Sequence, residues 1–402
     1  MVRAEPAGAS VTGIWTRAVL EKWLAAGLVW WLVGMLLMGS SKFYHQALIA
    51  LFWLPGLLAL LVHAEVRRQW RQPMALALLV LMAWSATSAL WAPEFESKEL
   101  KIFFYVFLAA NALIALASLD PALLRRSLAL SGLAVGLLAW GSALWFYGWA
   151  GNAWGARLVG TGIVDHPILA SQLFGAMGVV LLYLRRELPA TLQGAAWLFG
   201  CCGFVVFLAL SQSKGPWLAA LLTLFLAPLW QRSTRLLCVS AGAASLAVVA
   251  ALVWPELLLQ RGLSYRPELF VQALGLIGQQ PLQGLGLTAD YLLRVPSSGR
   301  SLEHAHNVYL HIAVTLGLVG LACWLALQAL ALSAAWRLRE RVEGRMLCAL
   351  LCFAGIALFT DGIGPWVKPR EEWFCLWLPI FLVMGLAAQG RAGTIRVEAK
   401  YE

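Results

Sequence analysis

The sequence is short of charge. Only 12% of its residues are Asp, Glu, Lys or Arg, about half the share of an ordinary soluble domain. It contains no polar, charge-dense stretch long enough to make a separate soluble domain, and no repeat at a fixed period. Its first residues lack the pattern of a cleavable signal peptide, a short apolar core followed by a small-residue cleavage site, so the first apolar run is expected to anchor. The seven cysteines (Cys201, Cys202, Cys238, Cys323, Cys348, Cys352 and Cys375) lie in or beside apolar runs, without metal-ligand spacing in a polar loop. They read as small core residues and not as disulfides or zinc ligands.

What is abundant is apolar surface. Hydrophobic residues make up 61% of the 402, and the mean hydropathy is +0.76. One core cannot bury that much, but lipid can receive it. A spanning helix needs about 20 apolar residues, and runs of suitable character lie near 23–39, 43–63, 73–91, 102–118, 127–147, 167–184, 194–210, 215–230, 236–254, 307–332, 346–360 and 373–388. The expected fold is an all-α integral membrane protein of about twelve transmembrane helices, with 1–402 as a single polytopic domain.

Basic residues orient this chain. With alternating spans, one face collects nineteen basic and nine acidic residues and the other eleven of each, so the whole formal charge of +10 lies on one side. The positive-inside rule makes that side cytoplasmic, with both termini on it. The basic isoelectric point is therefore a mark of topology and not of nucleic-acid binding. The opposite face still carries Lys42, Lys98, Lys101, Arg157, Lys214, Arg261, Arg266, Arg294, Arg300, Lys368 and Arg370, which topology alone disfavours. One account is interfacial anchoring and pairing with carboxylates such as Glu96, Glu99 and Glu371; the other is an outward cavity for an anionic ligand.

Residues 255–305 form the one long non-membrane connection. Loops of this length in a compact domain are usually functional or disordered. Pro267 to Ile277 has helical spacing, with Pro at a plausible first turn and Glu268 beside it, and Gln280–Gly286 breaks that helix. Short amphipathic helices lying over the outer face are expected here.

Histidine supplies the candidate general bases, because its unperturbed pKa lies near neutrality. His45 and His63 sit at helix ends and read as interfacial. His304, His306 and His311 bracket the tenth run, and His166 begins the sixth beside Asp165 and Pro167. The His304–Ala305–His306 spacing could suggest a metal, but in a helix the two imidazoles would point to different faces. The first outer loop, 39–45, also offers no carboxylate for a divalent ion.

These residues carry a resemblance. His306–Asn307, nine residues, then Gly317-Leu318-Val319-Gly320 resembles the signature of the bacterial O-antigen ligases. The long loop with Arg261 and Arg266, the Pro281–Gly286 turn, Ser211-Gln212-Ser213-Lys214-Gly215, and Arg157–Gly160 with His166–Pro167 are similar to further elements of that superfamily. The resemblance implies a GT-C-like glycosyltransferase of the bacterial inner membrane with its active site facing the periplasm. It would move O-antigen polysaccharide from undecaprenyl pyrophosphate to the lipid A–core oligosaccharide, by inversion and without a metal or other cofactor. Arg266 would stabilise the pyrophosphate, with Arg157, Lys214, Arg261, Ser213, His166 and Asn307 binding substrate. Fixed guanidinium forks suit phosphate oxygens. His306 would act as general base on the acceptor hydroxyl, or as an imidazolium on the pyrophosphate; both roles stay open. Gly317 and Gly320 would permit close packing of the tenth helix. The rival readings are an O-antigen polymerase, a protein O-oligosaccharyltransferase, and a lipid-linked glycan transporter, whose polar residues would lie nearer the membrane midplane.

Overall fold

The computed structural model describes residues 11–93, 96–253 and 265–387. Thirteen helices carry the architecture: α1 (Val11–Leu37), α2 (Ser41–Val62), α3 (Pro73–Ser88), α4 (Lys101–Leu119), α5 (Pro121–Trp149), α6 (Pro167–Tyr183), α7 (Ala195–Ser211), α8 (Lys214–Leu226), α9 (Thr234–Val253), α10 (Arg266–Gln279), α11 (Val308–Arg337), α12 (Val342–Thr360) and α13 (Trp373–Ala387). All but α10 coincide with the twelve apolar runs. Among the described residues, six helices are long and apolar enough to cross a membrane: α1 from Arg17, α2, α4, α5, α11 and α12. Shorter apolar helices pack with them, consistent with an all-α, multi-pass membrane protein.

Local chemistry sets several helix starts. Asp120 accepts from Leu123 N at 2.9 Å, with Pro121 in the first turn. His166 and Asn307 cap α6 and α11 in the same way. Such caps satisfy backbone donors that a helix leaves unpaired. The large core holds Trp31, Phe174, Phe207, Trp324, Phe353, Trp377 and Phe381, all essentially buried.

The two sets of connecting residues keep to themselves. Arg17 pairs with Glu21 and Glu65, Arg125 with Glu187 and Glu343, and Arg232 with Glu340, all from the strongly basic set. His45 Nε2 lies 2.9 Å from Pro369 O, and His306 pairs with Asp361, all from the charge-balanced set.

The long connection differs from the expected run of short helices. Its described part holds one helix, α10, followed by a β-hairpin of β1 (Leu293–Val295) and β2 (Arg300–Leu302). The strands are antiparallel, with Leu293 opposite Leu302 and Val295 opposite Arg300. The physical reason is legible afterwards: Leu293 and Val295 alternate inward around exposed Arg294, and the following Pro-Ser-Ser-Gly turns the chain, with Gly299 at φ +67°. Glu268 at the start of α10 ties down the tip, accepting from Ser297 N at 3.0 Å and Ser297 Oγ at 2.5 Å. Leu269, Ala273, Tyr291, Leu293, Val295, Ala305 and Val314 make a small second core that seats this segment on α11.

Helix α11 is broken at Gly317, which sits at φ +69° and ψ −176°. The break frees backbone groups, and every one named here finds a partner: Leu285 N donates to Val314 O (2.9 Å), Gly286 N to Thr315 O (2.8 Å), Trp84 Nε1 to Leu316 O (2.9 Å), and Leu318 N to Pro281 O (2.7 Å). Non-helical backbone at such a place is tolerable only where protein satisfies it. Gly284, at φ +68°, faces the break, and a Cβ on it would lie 2.6 Å from Thr315 O; a Cβ on Gly317 would overlap Leu282 O. The expected close packing of α11 at Gly317 is thus packing of a loop into a helix break. Gly320 packs against Leu316, whose Cβ an added Cβ would overlap, with Trp84 Nε1 at 3.3 Å.

Candidate active site

Five segments distant in sequence meet at the end of α12. Thr360 and Asp361 form the hub. Arg266, the first residue of α10, donates from Nε to Thr360 O at 3.1 Å. Gly215, next to Lys214, approaches the Thr360 side chain so closely that a Cβ there would overlap Oγ1. Buried Gln172 of α6 donates from Nε2 to Asp361 O at 3.1 Å. His306 Nδ1 lies 2.9 Å from Asp361 Oδ1.

His306 occupies a conformation that L-residues seldom adopt, with φ +49°. Such strain persists only where surrounding contacts over-determine it, and it clusters at functional sites. Asn307 supplies one contact: its Oδ1 accepts from Leu310 N at 3.1 Å and caps α11. This places Asn307 Oδ1 at the helix start, beside His306. His304 and His306 lie in the connection before the helix, with ring centroids 4.3 Å apart, and not on opposite helix faces. His311 is one turn on, bonded through Nδ1 to Tyr291 OH at 2.8 Å, with its ring against Gly364. Among the described residues no group of three or more His, Cys, Asp or Glu is placed to hold a metal ion.

The cations ring this centre. Arg157 donates from Nε to Ser211 O (2.9 Å) and from Nη2 to Ser213 Oγ (3.0 Å). It therefore pins the turn that presents Lys214 at the start of α8, a turn whose Gln212 has φ +50°. Ser213 is buried, and its hydroxyl donates to Pro167 O at 3.0 Å, so its contacts hold the turn to α6. His166 accepts from Leu169 N at 3.3 Å through Nδ1. Arg157, His166, Lys214, Arg266 and His306 are all half-buried, and Arg370 joins them from the loop before α13. Arg261 lies outside the described residues.

Electrostatics sort the titratable groups. Burial holds the His166 and His304 imidazoles below their ordinary range, so both favour the neutral form. Burial works to raise Asp361, but the hydrogen bond and charge of His306, with His166 and Arg266, outweigh it and hold the carboxyl below its usual range. Glu372 behaves oppositely: burial pushes it up to about 7 against the pull of Arg370 and the Ile363 N–H. Burial raises Glu371 as well, although Arg370 Nε lies 3.4 Å from its Oε2.

Residues 197–325 match the family model described as O-antigen ligase. An O-antigen ligase of Pseudomonas aeruginosa is 29% identical to this chain over 394 residues, which span 95% of each chain. The matched stretch contains the Ser211–Gly215 turn, Arg266, His306 and the Gly317 break. Arg157, His166 and Asp361 lie outside that stretch and join it only in three dimensions. The sequence pointed to the first two and not to Asp361, Gln172 or Glu372, which the fold brings to the same place. A carboxylate ending an apolar helix, Thr360–Asp361 before Gly362, was the available signal for Asp361.

Proposed function

We propose that this chain attaches O-antigen polysaccharide to the lipid A–core oligosaccharide, taking it from an undecaprenyl-pyrophosphate donor by metal-independent inverting transfer. The observation that carries the mechanism is the His306–Asp361 pair. Asp361 is held ionised, so it accepts from His306 Nδ1–H and leaves the lone pair on Nε2. Nε2 is then the base that takes the proton of the acceptor hydroxyl as oxygen attacks the anomeric carbon. The pyrophosphate leaves from the opposite face with its electron pair.

Charge on the leaving group is stabilised by groups already fixed in place. Arg266 has its plane set by the bond to Thr360 O, and its terminal nitrogens serve the phosphate oxygens. Lys214 and Arg157 lie across the centre, and neutral His166 keeps an Nε2–H donor because Nδ1 accepts from Leu169. Arg261 belongs with them by its place in the loop.

In this reading the twelve apolar helices all cross, making one GT-C-like domain over 1–402 in the bacterial inner membrane. Both termini are cytoplasmic, and the 255–305 segment and the active site face the periplasm. The donor's lipid enters laterally. An apolar cavity of about 350 Å³, lined among others by Gly178, Phe204, Val205, Leu208, Leu224 and Phe353, suits part of it. Leu208 is less than one helical turn from Ser211, so the cavity begins just beneath the cationic turn.

The test is complementation of a strain lacking its own ligase, with matched membrane levels of wild type, H306A and R266A. Restoration of the long-chain lipopolysaccharide ladder by wild type alone supports the reading. A wild type that instead lengthens lipid-linked glycan, or modifies a protein, replaces it with a polymerase or a protein O-oligosaccharyltransferase.

A further inference from the structure

The turn after α12 is gripped at three successive residues. Asp361 Oδ1 accepts from Gly362 N at 2.9 Å as well as from His306. The Asp361 carbonyl receives the Gln172 amide. At Ile363 the backbone N–H donates to Glu372 Oε1 at 2.9 Å. Gln172 and Glu372 are both 0% exposed. Gly362, the middle one, sits at φ +143°, a conformation that residues with a side chain rarely adopt.

We propose that Glu372 is a positioning residue for glycan transfer, bracing the Asp361–Ile363 turn so that the Asp361 carboxylate stays on His306 Nδ1. This rests on His306 being the base. Burying a carboxyl costs free energy unless its oxygens are bonded. Glu372 Oε2 and Asp361 Oδ2 are nevertheless buried without a partner among the described residues. Two such carboxyls flanking one glycine are a costly arrangement for packing alone, and a useful one for tuning a neighbouring imidazole.

The groups facing Glu372 are Arg370, Glu371 and Asp361, with Cys375 on its own helix. Near neutrality Glu372 passes between acid and carboxylate. Its carbonyl oxygen can accept from Ile363 in either form. Ionised, it adds negative charge behind Asp361, on the side away from His306 Nδ1. Glutamine keeps the acceptor and removes the charge; alanine removes both.

The experiment is transfer by the full-length protein in lipid nanodiscs, using lipid-linked glycan and lipid A–core, from about pH 5.5 to about pH 9. Wild type, E372Q, E372A and H306A are compared for kcat and donor KM. E372Q is expected within about threefold of wild-type kcat at its optimum, with its acid limb moved to lower pH by about half a pH unit. E372A is expected to lose about tenfold or more in kcat, with KM within about twofold. The brace is overturned if E372A keeps wild-type kcat or loses only in KM, and the charge effect is overturned if E372Q keeps the wild-type acid limb. Should E372A fail to assemble, as judged by thermal unfolding, E372D, which draws the carboxylate back from Ile363 N by one methylene, takes its place with the same test on kcat and KM. An active H306A protein instead removes the base, and that failure belongs to the underlying reading.

Discussion

His306 Nδ1 lies 2.9 Å from Asp361 Oδ1 although 55 residues separate the two. The bond joins the start of α11 to the end of α12, so the imidazole is oriented by two helices and neither one suffices. Its strained backbone is held by the Asn307 cap on one side and the carboxylate on the other.

Removing the imidazole should abolish transfer, while neutralising its partner should impair it. H306A is expected to lose about 10²–10⁴-fold in rate, the usual worth of a positioned base. D361N is expected to lose about tenfold or more, because an amide cannot hold the Nδ1–H tautomer as a carboxylate does. Single-turnover transfer at matched protein levels measures both.

Arg266 should resist conservative replacement. Its Nε bond to Thr360 O sets the plane of the fork. Lysine restores charge and loses both that bond and the paired geometry. R266K is expected to fall to within about tenfold of R266A, a loss of about 2 kcal/mol or more relative to wild type. Near-normal turnover by R266K would show that charge alone serves the donor.

The break in α11 should not tolerate a methyl group. G317A and G284A each place a Cβ against backbone at a positive φ. The expected destabilisation is about 1–3 kcal/mol apiece. Thermal unfolding in detergent gives the size, and limited proteolysis across 280–286 shows whether the loop has left the break. W84F is expected to cost about 1 kcal/mol by leaving Leu316 O without its donor.

Two carboxyls should shift stability with pH in opposite senses. Glu372 has a folded pKa of about 7, above its unfolded value of about 4.3. Its contribution is complete below the unfolded value and is lost as pH rises through about 7. E372Q should therefore gain on wild type between about pH 5 and about pH 8. Asp361 is held low, so its contribution is present above about pH 3.9 and disappears as pH falls through the folded value. The deficit of D361N should persist from neutral pH downward and close only in strong acid. Melting temperature against pH for the three proteins checks both signs.

Helical membrane architecture was legible because apolar runs of spanning length have few other solutions, and each run lies on a helix. The cationic loops stood out because charge on the balanced face departs from the sidedness of the rest, and His306 was named from its imidazole and the spacing to Gly317. The β-hairpin was read as helix: its strands are three residues each, too short for alternation to register, while the helical spacing of 267–277 was correct and dominated the segment. Asp361 escaped because its pairing with His306 is a tertiary event across two helices. Asn307 and Ser213 were read as ligand contacts; Asn307 Oδ1 accepts from Leu310 N and Ser213 Oγ donates to Pro167 O, so each also fixes local backbone. Spacing in sequence does not distinguish a residue that touches a ligand from one that orients its neighbour.

The interruption at Gly317 also bears on how the chain is made. Membrane integration reads apolar length along the sequence, and Val308–Arg337 is one uninterrupted stretch of thirty residues to that test. The groups that answer its freed carbonyls, Trp84, Leu285 and Gly286, all precede it, so they have been synthesised before the helix emerges. Integration and completion of the site are thus separate events in biogenesis. Lesions in 280–286 are expected to yield protein that is full-length, abundant and correctly inserted, yet inactive. Surveys of variants by expression level would pass over them.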